Sequence, residues 1–263
     1  MKKNALTIIN DLTTEALPRP YLGLSAIGEE CHRKLQFDHY WAYKTQIPAR
    51  IQRLFNVGHS AEEIMIADLK KIGIETTNEQ KEIIATAEHW KGHIDGIGHL
   101  EDEQFLLEFK THNDKSFKDL KKNEVKKSKP MHYAQMTAYM GYLGLEKALY
   151  MAYNKNDSEY YLEWVDFDEE HFDELKRKEL EVLAAETLLP RIGTGMPTWF
   201  KCKFCSAKDV CFLKTPIELH CRTCKYVDVL PNGKWACDKH NIELSVEEQK
   251  DGCSIYNLSE MFL

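Results

Sequence analysis

Two carboxylates and an amine stand close together in the middle of the chain. Asp95 lies in Gly92-His93-Ile94-Asp95-Gly96, and Glu108 and Lys110 lie in Leu106-Leu107-Glu108-Phe109-Lys110. Side chains two apart on a strand leave the same face, so Glu108 and Lys110 pair up while Leu107 and Phe109 point the other way. Carboxylates on neighbouring strands suit a hard divalent ion such as magnesium or manganese. A lysine beside them can orient or deprotonate a water and offset charge on a phosphate. The same three residues also fit a surface hairpin with an ordinary salt bridge, so their companions matter. Glu62, next to Glu63, follows Gly58 by one helical turn, and a glycine there lets another segment approach. Gln135 and Tyr139, at i and i+4, project together from a second helix.

These residues need a scaffold, and apolar periodicity supplies one. Ile51, Leu54, Phe55, Ala61, Met65, Leu69 and Ile72 follow a helical period that stops at Gly73. Residues 82–87, 92–100 and 104–109 read as strands, the last two joined through the turn Glu101-Asp102-Glu103. Pro130 opens a helix that ends near Gly144. Residues 148–153 and 160–167 read as two more strands around Asn154-Lys155-Asn156-Asp157, and Asp168 caps a charged helix running to about Leu189. This order predicts an α/β (mixed α+β) fold with a central mixed sheet flanked by helices. Tyr150, Tyr153, Tyr160, Tyr161 and Trp164 are assigned to its packing faces. Past Pro197 the chain turns cysteine-rich and poor in aliphatics. The expected division is a domain over 1–215 and a small module over 216–263.

Composition narrows the function. Of 263 residues, 43% are hydrophobic and 29% charged, an ordinary globular balance. No apolar run is long enough to span a membrane and no signal-like core opens the chain, so a cytoplasmic protein is expected. The net charge of −7 excludes coating DNA through bulk charge. Locally the balance reverses: eight lysines, Lys115, Lys118, Lys121 and Lys122 among them, stand against three acids between Phe109 and Lys129. Alone, such a run reads as a solvated loop.

Taken together, Glu62, Asp95, Glu108-Phe109-Lys110 and Gln135/Tyr139 resemble the PD-(D/E)XK nuclease superfamily in its RecB-like branch, over roughly residues 20–215. That branch carries an acidic or histidine residue in the first helix, then G-x-x-D, (D/E)-x-K and Q-x-x-x-Y. The resemblance implies a restriction-endonuclease-like core. It implies that Glu62, Asp95 and Glu108, with the Phe109 carbonyl, hold magnesium or manganese. It further implies that Lys110 acts on the attacking water and that Gln135 and Tyr139 position DNA. Many RecB-like members have histidine where Glu62 stands. Glutamate there is similar to phage-type recombination exonucleases, and Glu63 and His59 are the alternative ligands. Beside such a site, Lys115, Lys118, Lys121 and Lys122 would form a phosphate track.

The cysteines form two sets, and their CxxC spacing in a chain without an export signal reads as metal binding rather than disulfides. Cys202-x2-Cys205-x5-Cys211 supplies three thiolates, and Cys31 is the one cysteine in the first 200 residues. One early cysteine followed by a late C-x2-C-x5-C is similar to the CRISPR-associated RecB-like exonucleases. That likeness implies a [4Fe-4S] cluster on Cys31, Cys202, Cys205 and Cys211, with zinc in the same thiolates as the alternative. The second set, Cys221-x2-Cys224, Cys237 and Cys253, suits a tetrahedral structural zinc site, with His240 or His220 as substitutes. Val227–Leu230 and Lys234–Ala236, joined through Pro231-Asn232-Gly233, read as the hairpin of a zinc ribbon. Trp235, Lys234 and Arg222 there could grip DNA or a protein, or Trp235 could pack a small core.

The expectation is a magnesium- or manganese-dependent DNA exonuclease that processes ends in recombination, repair or phage DNA metabolism, in a bacterium or a phage-infected cell. DNA is the expected partner, with a recombination or replication protein as a further one. Alternatives are a structure-specific endonuclease and a non-catalytic DNA- or protein-binding adaptor.

Overall fold

A computed structural model of the chain describes residues 4–15 and 18–263. Helix α1 (Ala5–Asp11), strands β1 (Thr13–Glu15) and β2 (Leu22–Gly23), α2 (His32–His39), β3 (Gln46–Pro48) and the long α3 (Ala49–Lys71) come first. Strands β4 (Glu75–Thr77), β5 (Glu82–Ile84), β6 (Trp90–His93), β7 (Gly96–Leu100) and β8 (Glu103–His112) lead into α4 (Asp114–Ser128) and α5 (Pro130–Leu143). Then come β9 (Lys147–Asn154), β10 (Tyr160–Asp166) and α6 (Glu169–Ala184). The short helices α7 (Phe200–Lys203) and α8 (Lys208–Cys211) precede β11 (Val227–Val229), β12 (Trp235–Cys237) and β13 (Ile242–Leu244). The class is mixed α/β, as the order of elements predicts.

The chain divides into two discontinuous units. The first takes the residues up to Thr14, then 47–84 and 91–175; the second takes 15–46, 85–90 and 176–263. This partition runs differently from a single cut after residue 215. Within the second unit hydrogen bonds join the tail to the early chain, such as His220 Nε2 with the Trp41 carbonyl at 3.0 Å.

In the first unit a five-stranded sheet has the order β10-β9-β8-β7-β4. Strands β8 and β9 run parallel and the other neighbours antiparallel. A parallel pair needs a crossover, and α4 with α5 provides it. Helix α3 lays Ala61, Met65 and Leu69, spaced by four, against Phe105, Leu107 and Phe109 on one face of β8. The other face is thereby left to Leu106, Glu108, Lys110 and His112.

Three local readings change. The expected strand over 92–100 is two, because β6 pairs with β5 while β7 pairs with β8 and β4. The chain changes partners at Ile94-Asp95, so Asp95 sits in the break rather than on a strand's polar face. The lysine-rich stretch is helix α4, not loop. Its Asn113 side chain accepts from Ser116 N–H, and Phe117 and Leu120 are buried one turn apart. Glu124, at φ 58°, interrupts that helix, and the freed Val125 N–H donates to the Glu163 carboxylate at 2.9 Å. Gly58 has open space around it rather than a close neighbour.

The second unit carries the three-stranded antiparallel sheet β11-β12-β13. Phe37, Tyr40, Trp235, Leu244 and Phe262 share its core. Arg222 is 1% exposed and its guanidinium carbon lies 3.6 Å from the Trp41 ring centre and 4.3 Å from that of Trp235. It donates to Gln249, to the His39 carbonyl and to the Pro20 carbonyl, each at 2.8 Å. Trp235 and Arg222 are therefore core residues, and neither presents a surface to DNA. Trp164, by contrast, is 48% exposed, although its ring meets Phe105 edge-on at 4.7 Å.

Candidate active site and cysteine pockets

The parallel pairing of β8 with β9 sets the floor of the acidic site. Glu108 is fully buried and ion-paired with Lys110, its neighbour two residues on. Gln135, from α5, donates its amide to the second Glu108 oxygen at 3.2 Å. Asp95 reaches across from the β6–β7 break, and its carboxylate accepts the Phe109 N–H at 2.7 Å. The bend in the chain that disrupts the predicted strand is thus what brings Asp95 to β8.

Charge completes the grouping. Burial pushes the Glu108 carboxyl up to about 7; Lys110 opposes that rise, and Asp95 and Glu62 add to it. Glu62 is also raised, by burial and then by Asp95. The Lys110 ammonium is held in its charged form by Glu108, Asp95 and Glu62, against the cost of its own burial. Three carboxylates thus share one ammonium, an excess of negative charge that a divalent cation would balance. Among the alternatives for the first-helix ligand, His59 is 80% exposed at 4.0 Å from Glu62, and Glu63 is exposed. Among the described residues no three His, Cys, Asp or Glu side chains stand as a ready-made metal site.

Tyr139 does not face a substrate. It is 1% exposed, and its hydroxyl donates to the His93 carbonyl at 3.0 Å, so it pins the end of β6 next to Asp95. Of the four track lysines, all exposed on α4, Lys118 pairs with Asp114 at 2.8 Å and Lys121 with Glu159 at 2.6 Å. Lys115 and Lys122 have no ion partner among the described residues.

Sequence reasoning missed a polar cluster beyond Glu108. In the β8–β9 register Tyr150 stands opposite Glu108. Its hydroxyl lies 2.9 Å from both His112 Nε2 and His132 Nδ1. The phenol can donate to one imidazole and accept from the other, an arrangement that neutral rings allow. Burial and then nearby lysines hold them so, His112 down to about 4 and His132 to about 3. His112 follows Lys110 by two and His132 precedes Gln135 by three, a spacing visible in sequence. Tyr150 had no such signal, because the strand register is tertiary.

The cysteines gather as two pockets in the second unit, and none of the eight is joined in a disulfide. Cys31, Cys202, Cys205 and Cys211 line one, together with Arg33, Lys34, Arg191 and Lys208. Arg191 Nε donates to Cys211 Sγ at 3.4 Å, so cations surround sulfurs that would carry negative charge as thiolates. Cys221, Cys224, Cys237, Cys253 and His240 line the other. Cys221 is pushed up to about 11 by burial and by the three other thiols, so it lies within the field of each of them. His240 Nε2 lies 3.8 Å from Cys253 Sγ, whereas His220 is turned to the Trp41 carbonyl.

No family model matches the chain. No curated protein matches it either. Among solved structures it is similar to LHK-Exo in complex with dAMP, at 15% identity and a TM-score of 0.46, covering 63% of this chain and 87% of that one. It is similar to the alkaline exonuclease LHK-Exo from Laribacter hongkongensis, at 17% identity and a TM-score of 0.46, over 64% and 88% of the two chains. It is also similar to SSO0001, at 15% identity and a TM-score of 0.44, over 76% and 89%.

Proposed function

We propose that this chain is a magnesium- or manganese-dependent DNA exonuclease of the RecB-like kind, acting on DNA ends in recombination, repair or phage DNA metabolism. The observation that carries this reading is the fully buried Glu108, ion-paired to Lys110 and in the field of Asp95 and Glu62. A structural salt bridge has no use for two further carboxylates, which oppose ionisation of the first. A phosphodiester hydrolase does, since a divalent ion bound there supplies positive charge to the phosphate and makes a water more acidic.

The chain's own residues have separable tasks. Glu62, Asp95 and Glu108, with the Phe109 carbonyl, would hold the ion. Lys110 stays an ammonium, so it orients the attacking water and stabilises charge growing on the phosphate rather than accepting a proton. Gln135 fixes the Glu108 carboxylate, and Tyr139 fixes the strand end beside Asp95. Lys115 and Lys122 are free to meet phosphates along α4. The end-directed mode follows the family resemblance. In the second unit, Cys31, Cys202, Cys205 and Cys211 would hold a [4Fe-4S] cluster or zinc, and the tail thiols a structural zinc in a ribbon-like module. Soft thiolates fit either, and four all-sulfur ligands leave no open position for catalysis.

The test is digestion of end-labelled linear DNA and closed circular DNA with added Mn2+ or Mg2+, alongside iron and zinc quantitation. Linear DNA should be degraded and the circle spared. Lys110→Ala and Asp95→Asn should each lower the rate at least about a hundredfold with circular dichroism unchanged. Wild-type cleavage by either variant would remove the site assignment.

A further inference from the structure

Between Arg191 and Lys214 five cations stand against one acid, Asp209, in a chain whose net charge is −7. Within this stretch Trp199-Phe200-Lys201-Cys202-Lys203-Phe204-Cys205 interleaves rings, ammoniums and thiols. The rings do not retreat into the core. Phe200 is 62% exposed and Phe204 82%, with Leu213 near them in sequence at 79%. Trp199 is half-buried and seated on Gly193, where an added Cβ would come within 2.5 Å of the indole. Its ring centre lies 5.0 Å from that of Phe200. Lys201 stands 5.7 Å from the Phe200 ring centre and Lys203 5.5 Å from that of Phe204. Lys201 is shared with Glu30, whereas Lys203, Lys208 and Lys214 have no ion partner among the described residues.

Large exposed rings mark a surface that meets something. An apolar face alone would suit a protein, and a basic face alone would suit duplex phosphates. Rings alternating with ammoniums suit a ligand that offers flat faces and one negative charge per unit. Single-stranded DNA is that ligand, because its bases are free to stack while its backbone carries the charge. A duplex keeps its bases stacked on one another. We infer that Trp199, Phe200, Phe204 and Lys203 form a stacking platform for single-stranded DNA. The inference deepens the nuclease reading, on which its biological sense rests, by naming the strand state engaged. Cys202 and Cys205 alternate with the rings, so whatever fixes the four-cysteine pocket also fixes the spacing of the platform.

Fluorescence anisotropy on the full chain, with a labelled oligothymidine of roughly 15 nucleotides and no added divalent cation, measures binding without cleavage. Phe200→Ala combined with Phe204→Ala should weaken binding about tenfold or more and leave duplex affinity unchanged. Tyrosine at both positions should retain it. Lys203→Glu with Lys214→Glu, both at exposed positions, should weaken binding and flatten its dependence on salt. Unchanged oligothymidine affinity in the double alanine variant overturns the platform, as does a dimer in sedimentation that this variant dissociates without loss of DNA affinity. A chain that binds through these rings yet never cuts DNA would remove the nuclease reading and leave the platform standing.

Discussion

Glu108 is the fully buried carboxylate at the centre of the acidic cluster. Its carboxyl titrates near 7, because burial penalises the charged form and Asp95 and Glu62 repel it. A carboxyl raised above its unfolded value contributes stability that is complete below that value, 4.5, and is lost as pH rises through about 7. The whole effect is of the order of 3 kcal/mol. Urea midpoints should therefore fall between pH 5 and pH 8, and fall less in Glu108→Gln. Mg2+ should recover more of the midpoint at pH 8 than at pH 5, since a cation favours the ionised carboxylate. Equal recovery at both values would mean that the ion binds elsewhere or not at all. The residue types of this site were legible because Glu108 and Lys110 obey strand alternation. The role of Tyr139 was not, since only the folded chain shows its hydroxyl turned inward to the His93 carbonyl.

At the scale of elements, β8 is the strand that does two jobs. One face packs on α3 through Phe105, Leu107 and Phe109, and the other carries Glu108 and Lys110. Its partner β7 comes close only because Gly98 lacks a side chain: a Cβ there would lie 2.3 Å from the Phe105 ring. Gly98→Ala should destabilise the first unit by about 1–3 kcal/mol, as a small overpacking change in a dense core does. Chemical denaturation followed by circular dichroism measures it, and a neutral result would show that Phe105 can move aside. Helix α3 was legible from its periodicity and α5 from Pro130 at its start, and so were the stop at Gly73 and the turn at Gly144, both left-handed with φ of 85° and 67°. Helix α4 was masked by its lysines. Its apolar pair Phe117 and Leu120 is short, and charge hides so brief a stripe.

At the scale of the molecule, the second unit is organised around buried Arg222 rather than around a large aliphatic core. Its guanidinium lies between two indoles with all its described hydrogen bonds made to neutral acceptors, and desolvation alone drops its pKa to about 9. Arg222→Met should cost about 3 kcal/mol or more, because it strands the Gln249, His39 and Pro20 oxygens without a donor. Arg222→Lys should not rescue it, since an ammonium cannot fill the planar slot. Four of the five tryptophans, Trp41, Trp90, Trp199 and Trp235, belong to this unit, so thermal unfolding followed by indole emission reports it. An unchanged melting temperature in Arg222→Met would assign the stability of the unit to the cysteine pockets instead.

The sequence by itself determined helices α3, α5 and α6, the β7–β8 and β9–β10 hairpins, the placement of Glu108 and Lys110 on one face, and the sorting of the cysteines into two sets. These are local properties, governed by spacing along a helix or strand and by turn chemistry within a few residues. Tertiary structure alone decided that Asp95 sits in a break between strands, that Tyr150 stands opposite Glu108, and that Arg222 and Trp235 are interior. Each depends on which strand pairs with which, or on contacts between residues more than a hundred positions apart. No periodicity encodes such choices, because they are settled by the packing of whole elements against one another.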